Sequence, residues 1–313
     1  MPTWRTTLTA AGIRDPRLRA DFTHAARRVM RREPAPYLTL RLLAAPELVP
    51  WMTAGVGFMN LVDDTAETGT PRQRADGLAA LAERVGEALR TGGGPDPLLR
   101  AYAHAVAVRG LPERWVSRFL EGAAGAEARF DGFGTEEDFQ AYLDAYAWPG
   151  LLAFTGLQHP GGPDEAQAAG WRRFVDAAQR VDFLADLAGD LAEGRLCLPR
   201  AALAEHSVTR EDLEQARDTP AVRALLAAQA RRARTALEAA NGILDLAEPG
   251  LRPVVAAMTE LMGHQLAAVE RAGAGALRRD VGYGVAAPVR TLLRARAGAR
   301  RAAPAASRAS KAR

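Results

Sequence analysis

The chain has 313 residues, 48% of them hydrophobic and 25% charged, with a formal net charge of +4. From Arg290 onward there are seven arginines, one lysine and no acid, which leaves residues 1–289 with 33 basic against 37 acidic side chains, a mildly acidic body that argues against nucleic acid as a partner. Lys311 is the only lysine and Cys197 the only cysteine, so Schiff-base chemistry, a phosphate-loop lysine, internal disulfides and cysteine-based zinc sites are all excluded from the body, and a reducing cytoplasm is expected.

Abundant Ala, Leu and Arg, with few β-branched and aromatic residues, favour helices. Residues 1–20 read as a lead-in with no signal peptide, because Trp4 and Arg5 interrupt it early. A helix is predicted over 21–32, stopped by Pro34 and Pro36. A short apolar piece, 37–44, follows. Longer helices are predicted over 48–68, 72–90, 97–109 and 112–129, and Gly132 and Gly134 mark a turn. Thr135-Glu-Glu-Asp138 resembles a capping box, and Pro149 is expected to kink the helix it opens. Residues 164–193 read as one long helix rich in carboxylates. Two more long helices are expected over 220–247 and 253–278, and 297–313 reads as disordered Ala/Arg/Ser sequence. No alternating strand pattern, repeat or membrane-length apolar run is found, so a soluble protein is expected.

Two acidic clusters stand out. In Asn60-Leu-Val-Asp63-Asp64-Thr-Ala-Glu67, Asp63 and Glu67 lie one turn apart behind apolar Phe58, Met59, Leu61 and Val62. In Gln179-Arg-Val-Asp182-Phe-Leu-Ala-Asp186-Leu-Ala-Gly-Asp190, three aspartates recur every fourth residue, a stripe that repels itself unless a cation lies outside the helix. A solvated acidic face is the plain alternative for each. Together they suit Mg²⁺ held around a diphosphate, since Mg²⁺ takes one or two carboxylates per ion and fills its shell with water and phosphate oxygens. The five histidines show no metal-ligand spacing.

These residues resemble the squalene/phytoene synthase family. Asp63-Asp64-Thr-Ala-Glu67 matches its first aspartate-rich motif. Residues 179–199, with Gly194-Arg195-Leu-Cys-Leu-Pro199, match its second. Tyr37-Leu-Thr-Leu-Arg41 resembles its early segment, and 271–290 loosely resembles its closing helix. The resemblance implies an all-α, isoprenoid-synthase-like single-domain bundle with a central cavity, over residues 21–290. It implies two or three Mg²⁺ on Asp63, Asp64, Glu67, Asp182, Asp186 and Asp190, and a prenyl diphosphate bound by Tyr37, Arg41, Phe58, Gln179 and Arg195.

Departures from the family pattern occur at Ala35-Pro36, Asp182, Cys197 and, most of all, 142–152. There Asp144, Tyr146, Trp148 and Pro149 enter the region beside the second substrate. The expectation is a retained donor site and a rebuilt acceptor site. Asp144, Tyr146 and Trp148 would then serve transfer of a prenyl group, dimethylallyl among the candidates, to an aromatic acceptor such as an indole or carbazole in secondary metabolism. The alternatives are the family's head-to-head coupling of two prenyl diphosphates, and a non-catalytic helical binding protein. Donor chain length and oligomeric state are not readable.

Overall fold

The computed structural model describes residues 1–282, with 284, 290 and 291. The tail expected over 297–313 lies outside the described residues, as do 283 and 285–289 of the closing stretch 271–290. All regular structure among the described residues is helical, as the composition predicts. Helices start where the sequence offers a cap or a proline. Thr3 and Asp15 accept backbone N–H groups at the starts of α1 (Trp4–Ala10) and α2 (Pro16–Arg32). The lead-in is therefore helical, and Leu8 and Ile13 enter the core. A break at Glu33 separates α2 from α3 (Pro34–Leu43).

α4 (Val49–Glu67) is buried along most of its length. It packs against α2, against α6 (Pro97–Arg109) and against α9 (Trp148–Thr155). Gly55 and Gly57 permit that closeness, since a Cβ on Gly55 would stand 2.6 Å from Phe154 Cβ. α5 (Pro71–Thr91) and α6 end on Gly92 and Gly110, both left-handed at φ 65°.

The two helices predicted through 112–129 and across Pro149 each contain a π-helical turn. α7 (Glu113–Gly122) runs into one over Ala123–Glu127. α8 (Glu136–Tyr142) runs into a second over Leu143–Ala147, which leads into α9. The N–H of Ala128 reaches back five residues to the Ala123 carbonyl, and that of Trp148 to Leu143. Pro149 has no N–H to donate, so the wider turn before it takes the place of a simple kink.

The helix predicted over 164–193 is two helices, α10 (Glu165–Ala185) and α11 (Leu187–Ala192), parted at Asp186. The cause lies in the closing segment. In an unbroken helix the Ala185 carbonyl would accept from the Gly189 N–H. Here Val281 N–H donates to Ala185 at 2.8 Å, and Gly189 N–H donates to Asp280 Oδ1 at 2.8 Å. Short α12 (Arg200–Glu205) and α13 (Arg210–Glu214) lead to α14 (Pro220–Ala240), α15 (Ile243–Leu246) and α16 (Arg252–Ala272).

Two apolar clusters hold the fold. The larger joins α2, α4, α6 and α7–α9, while the smaller lies among α10, α14 and α16. A cavity opens between the elements of the two.

Candidate active site

The cavity has a volume of about 730 Å³. Asp63 and Glu67 reach it from the last turns of α4, and Gln179, Asp182, Asp186 and Asp190 reach it from α10 and α11. The two acidic clusters, over a hundred residues apart in sequence, thus share one space. Arg195 enters from the connector after α11. Aromatic and aliphatic side chains, among them Phe119, Phe130, Leu151, Phe154, Phe183 and Met258, line the rest.

The π turns bring Glu127 and Tyr146 to the cavity, and the end of α8 brings Tyr142. Tyr146 donates from Oη to Asp63 Oδ1 at 2.6 Å. Tyr142 donates to Glu127 Oε2 at 2.7 Å, and Arg195 donates to Glu127 Oε1 at 2.9 Å. Arg195 also lies over Phe130, 4.7 Å from its centroid, and 3.8 Å from Asp190. Cys197 donates its thiol to Asp190.

Burial dominates the electrostatics. It pushes Asp63 up to about 7, although the Tyr146 hydrogen bond opposes the shift. Asp182 faces the cavity, where water reaches it, yet protein surrounds that cavity; burial and the neighbouring Asp186 push it up to about 7. Glu67, Asp186 and Asp190 are raised by burial first, then by neighbouring carboxylates. Asp280 is one of those neighbours for Asp186.

This donor set fits Mg²⁺. Glu67, Asp182 and Asp186 have no ion-pair partner among the described residues. No three acidic, histidine or cysteine side chains among those residues converge on one point, so an ion held here would have to complete its shell with phosphate and water.

The family model for squalene/phytoene synthase matches residues 29–302. The chain belongs to the squalene/phytoene synthase family. Members of this family are prenyltransferases, and the chain has their all-α isoprenoid synthase fold. It is 25% identical to a squalene synthase, HpnC from Alicyclobacillus acidocaldarius, with a TM-score of 0.68 over 86% of this chain and 96% of that one. A dehydrosqualene synthase solved with a ligand gives a TM-score of 0.77 at 17% identity, covering 90% of this chain and 98% of that one, a likeness of fold. The bifunctional protein CrtB/UppS of Streptomyces coelicolor is 28% identical over 260 residues, which are 82% of this chain but 44% of that protein. The chain thus spans less than half the length of this curated relative.

Several residues expected in the squalene/phytoene synthase site lie elsewhere. Arg41 is 6% exposed and donates to Thr7 Oγ1 and the Pro2 carbonyl, each at 2.8 Å, so it ties α3 to the N-terminus. Tyr37, on the same helix, does not line the cavity. Phe58 is a core residue stacked on Tyr102 at 4.0 Å. Asp64 points the other way from Asp63 and pairs with Arg28 and Arg32 of α2.

In the supposed acceptor region, Asp144 is exposed and bound to Arg172 at 2.5 Å. Trp148 lies against Trp115 and donates to the Ala168 carbonyl at 3.0 Å. Neither lines the cavity, and of the three only Tyr146 does. Conversely, Glu127, Tyr142, Arg74 and Asp280 were not predicted as site residues. Glu127 sits among small residues in Gly122-Ala-Ala-Gly-Ala-Glu127, and only the π turn, invisible in the residue pattern, brings it inward.

Among the described residues no helix is long and apolar enough to cross a membrane.

Proposed function

We propose that the protein couples two prenyl diphosphates head to head with Mg²⁺ as cofactor. The supporting observation is the lining of the cavity. Two carboxylate clusters and Arg195 line it together with apolar Phe119, Leu151, Phe154 and Met258. The residues that would have rebuilt an acceptor site for an aromatic ring, Asp144 and Trp148, are bound elsewhere.

In this reading Asp63 and Glu67 on one side, and Asp182, Asp186 and Asp190 on the other, would hold Mg²⁺, which supplies charge neutralisation for the departing diphosphate. The donor's C–O bond breaks and diphosphate keeps the electron pair. The allylic carbon then bonds to the double bond of the second prenyl chain, and loss of a proton closes a cyclopropylcarbinyl diphosphate. Arg195, held by Glu127, grips diphosphate. Tyr146 orients Asp63, and the aromatic walls exclude water and face the cation.

Incubation with farnesyl or geranylgeranyl diphosphate and Mg²⁺, without any aromatic acceptor, tests this by mass spectrometry. A symmetric hydrocarbon or a cyclopropylcarbinyl diphosphate is expected. Turnover that begins only when an indole or carbazole is added would reject the head-to-head reading in favour of the aromatic one.

A further inference from the structure

The outer face of α2 carries charge the reaction does not use. Arg17, Ala20, His24, Arg27 and Arg31 recur three and four residues apart, so they share one side of the helix, and all are exposed. Arg17, Arg27 and Arg31 have no ion-pair partner among the described residues. The acids close to this face are occupied. Asp15 caps the helix by accepting from Leu18 N–H. Asp21 points inward to Arg100, and Glu33 meets Arg32 at 3.8 Å.

Met30, 46% exposed, flanks the row, and Leu38, also 46% exposed, follows on α3. On the opposite flank Arg28 and Arg32 pair with Asp64, the neighbour of Asp63 in the cavity. The basic face therefore ends beside the helix turn that carries the first acidic cluster. A body with more acids than bases has gathered unpaired arginines on one face, next to exposed apolar side chains.

We infer that this face of α2 docks the protein on an anionic lipid surface. Its arginines meet phosphate headgroups, and Met30 enters the interface between them. The preference for lipid over other polyanions rests on the head-to-head reading, whose hydrocarbon product has no solubility in water. Docking itself needs no turnover, so the two can fail separately.

The test is co-sedimentation of the full chain, without substrate, with vesicles of phosphatidylcholine and of phosphatidylcholine mixed with an equal amount of phosphatidylglycerol. Binding to the anionic vesicles alone is expected. Each basic side chain at such a surface strengthens binding by about fivefold, so the triple variant Arg17→Ala, Arg27→Ala, Arg31→Ala should weaken it by about a hundredfold. A control triple variant at Arg90, Arg173 and Arg231, exposed arginines of α5, α10 and α14, keeps the basic tail and the net-charge change the same and should bind nearly as the parent does. Absent binding, equal loss in both triple variants, or an α2 variant that binds vesicles normally but loses a DNA oligonucleotide would each overturn the proposal.

Discussion

Single side chains in this protein act according to which way their helix turn points them. Asp63 and Asp64 are sequence neighbours, yet one faces the cavity and the other pairs with Arg28 and Arg32 on the outside. The spacing of 63 with 67, and of 182 with 186 and 190, was legible because helix period alone puts such residues on one face. What each face meets was not, because that depends on packing partners far along the chain. Arg41 shows the same limit, since a matching motif residue is bound here by Thr7 and Pro2. Asp63→Asn and Asp186→Asn should each lower kcat by on the order of a hundredfold or more, a loss of several kcal/mol in transition-state stabilisation, with the circular dichroism spectrum unchanged. Asp144→Asn should leave turnover unchanged, because its carboxylate is exposed and bonded to Arg172 outside the cavity. Assays at saturating Mg²⁺ separate the three, and a normal rate in Asp186→Asn would remove that residue from the site.

At the scale of elements, two irregular turns do what regular helices could not. The π turns at 123–127 and 143–147 lie against each other, and they bring Glu127 and Tyr146 to the cavity. Helix existence was readable from proline, glycine and capping residues, and most long helices lie where predicted. An extra residue in a turn leaves no comparable mark, since Ala and Gly fit either geometry. The contact depends on Gly122, where an added Cβ would stand 2.0 Å from the Ala145 carbonyl oxygen. Gly122→Ala should therefore force the π turns apart, destabilise the protein by about 1–3 kcal/mol or more and lower activity. Urea unfolding alongside kinetics reads both effects, and a variant of parental stability would show that the turns do not depend on close approach. The break at Asp186 has a similar origin in residues 280–281, distant in sequence. Asp280→Ala removes the acceptor of the Gly189 N–H and should reduce turnover, whereas Asp280→Asn keeps a carbonyl acceptor there and should retain most of it. Equal loss in both would point to the charge of Asp280 rather than to its hydrogen bond.

For the whole molecule, the cavity gathers carboxylates that folding makes harder to ionise, and that links stability to pH and to metal. Asp63 and Asp182 ionise near 7 in the folded chain, against an ordinary value of 3.8. Between those two values the folded state binds more protons than the unfolded one. Stability contributed by these groups therefore falls as pH rises towards 7, and levels off above it. At lower pH the opposite behaviour of paired acids takes over. Glu136, for example, is held below its ordinary value by Arg180 although burial opposes this, and such pairs lose their contribution on acidification. The window that isolates the cavity is therefore from about pH 8 down to about pH 6, and protein treated with chelator should melt at a higher temperature at the lower end. Mg²⁺ binds the ionised carboxylates and competes with protons for them, so it should raise the melting temperature most at about pH 8 and progressively less towards about pH 6. Calorimetry at several pH values, with and without Mg²⁺, supplies both curves. A metal-free melting temperature that is flat or rises from pH 6 to 8 would mean that the cavity carboxylates ionise freely after all. A Mg²⁺ increment independent of pH would place the ion on groups other than Asp63 and Asp182.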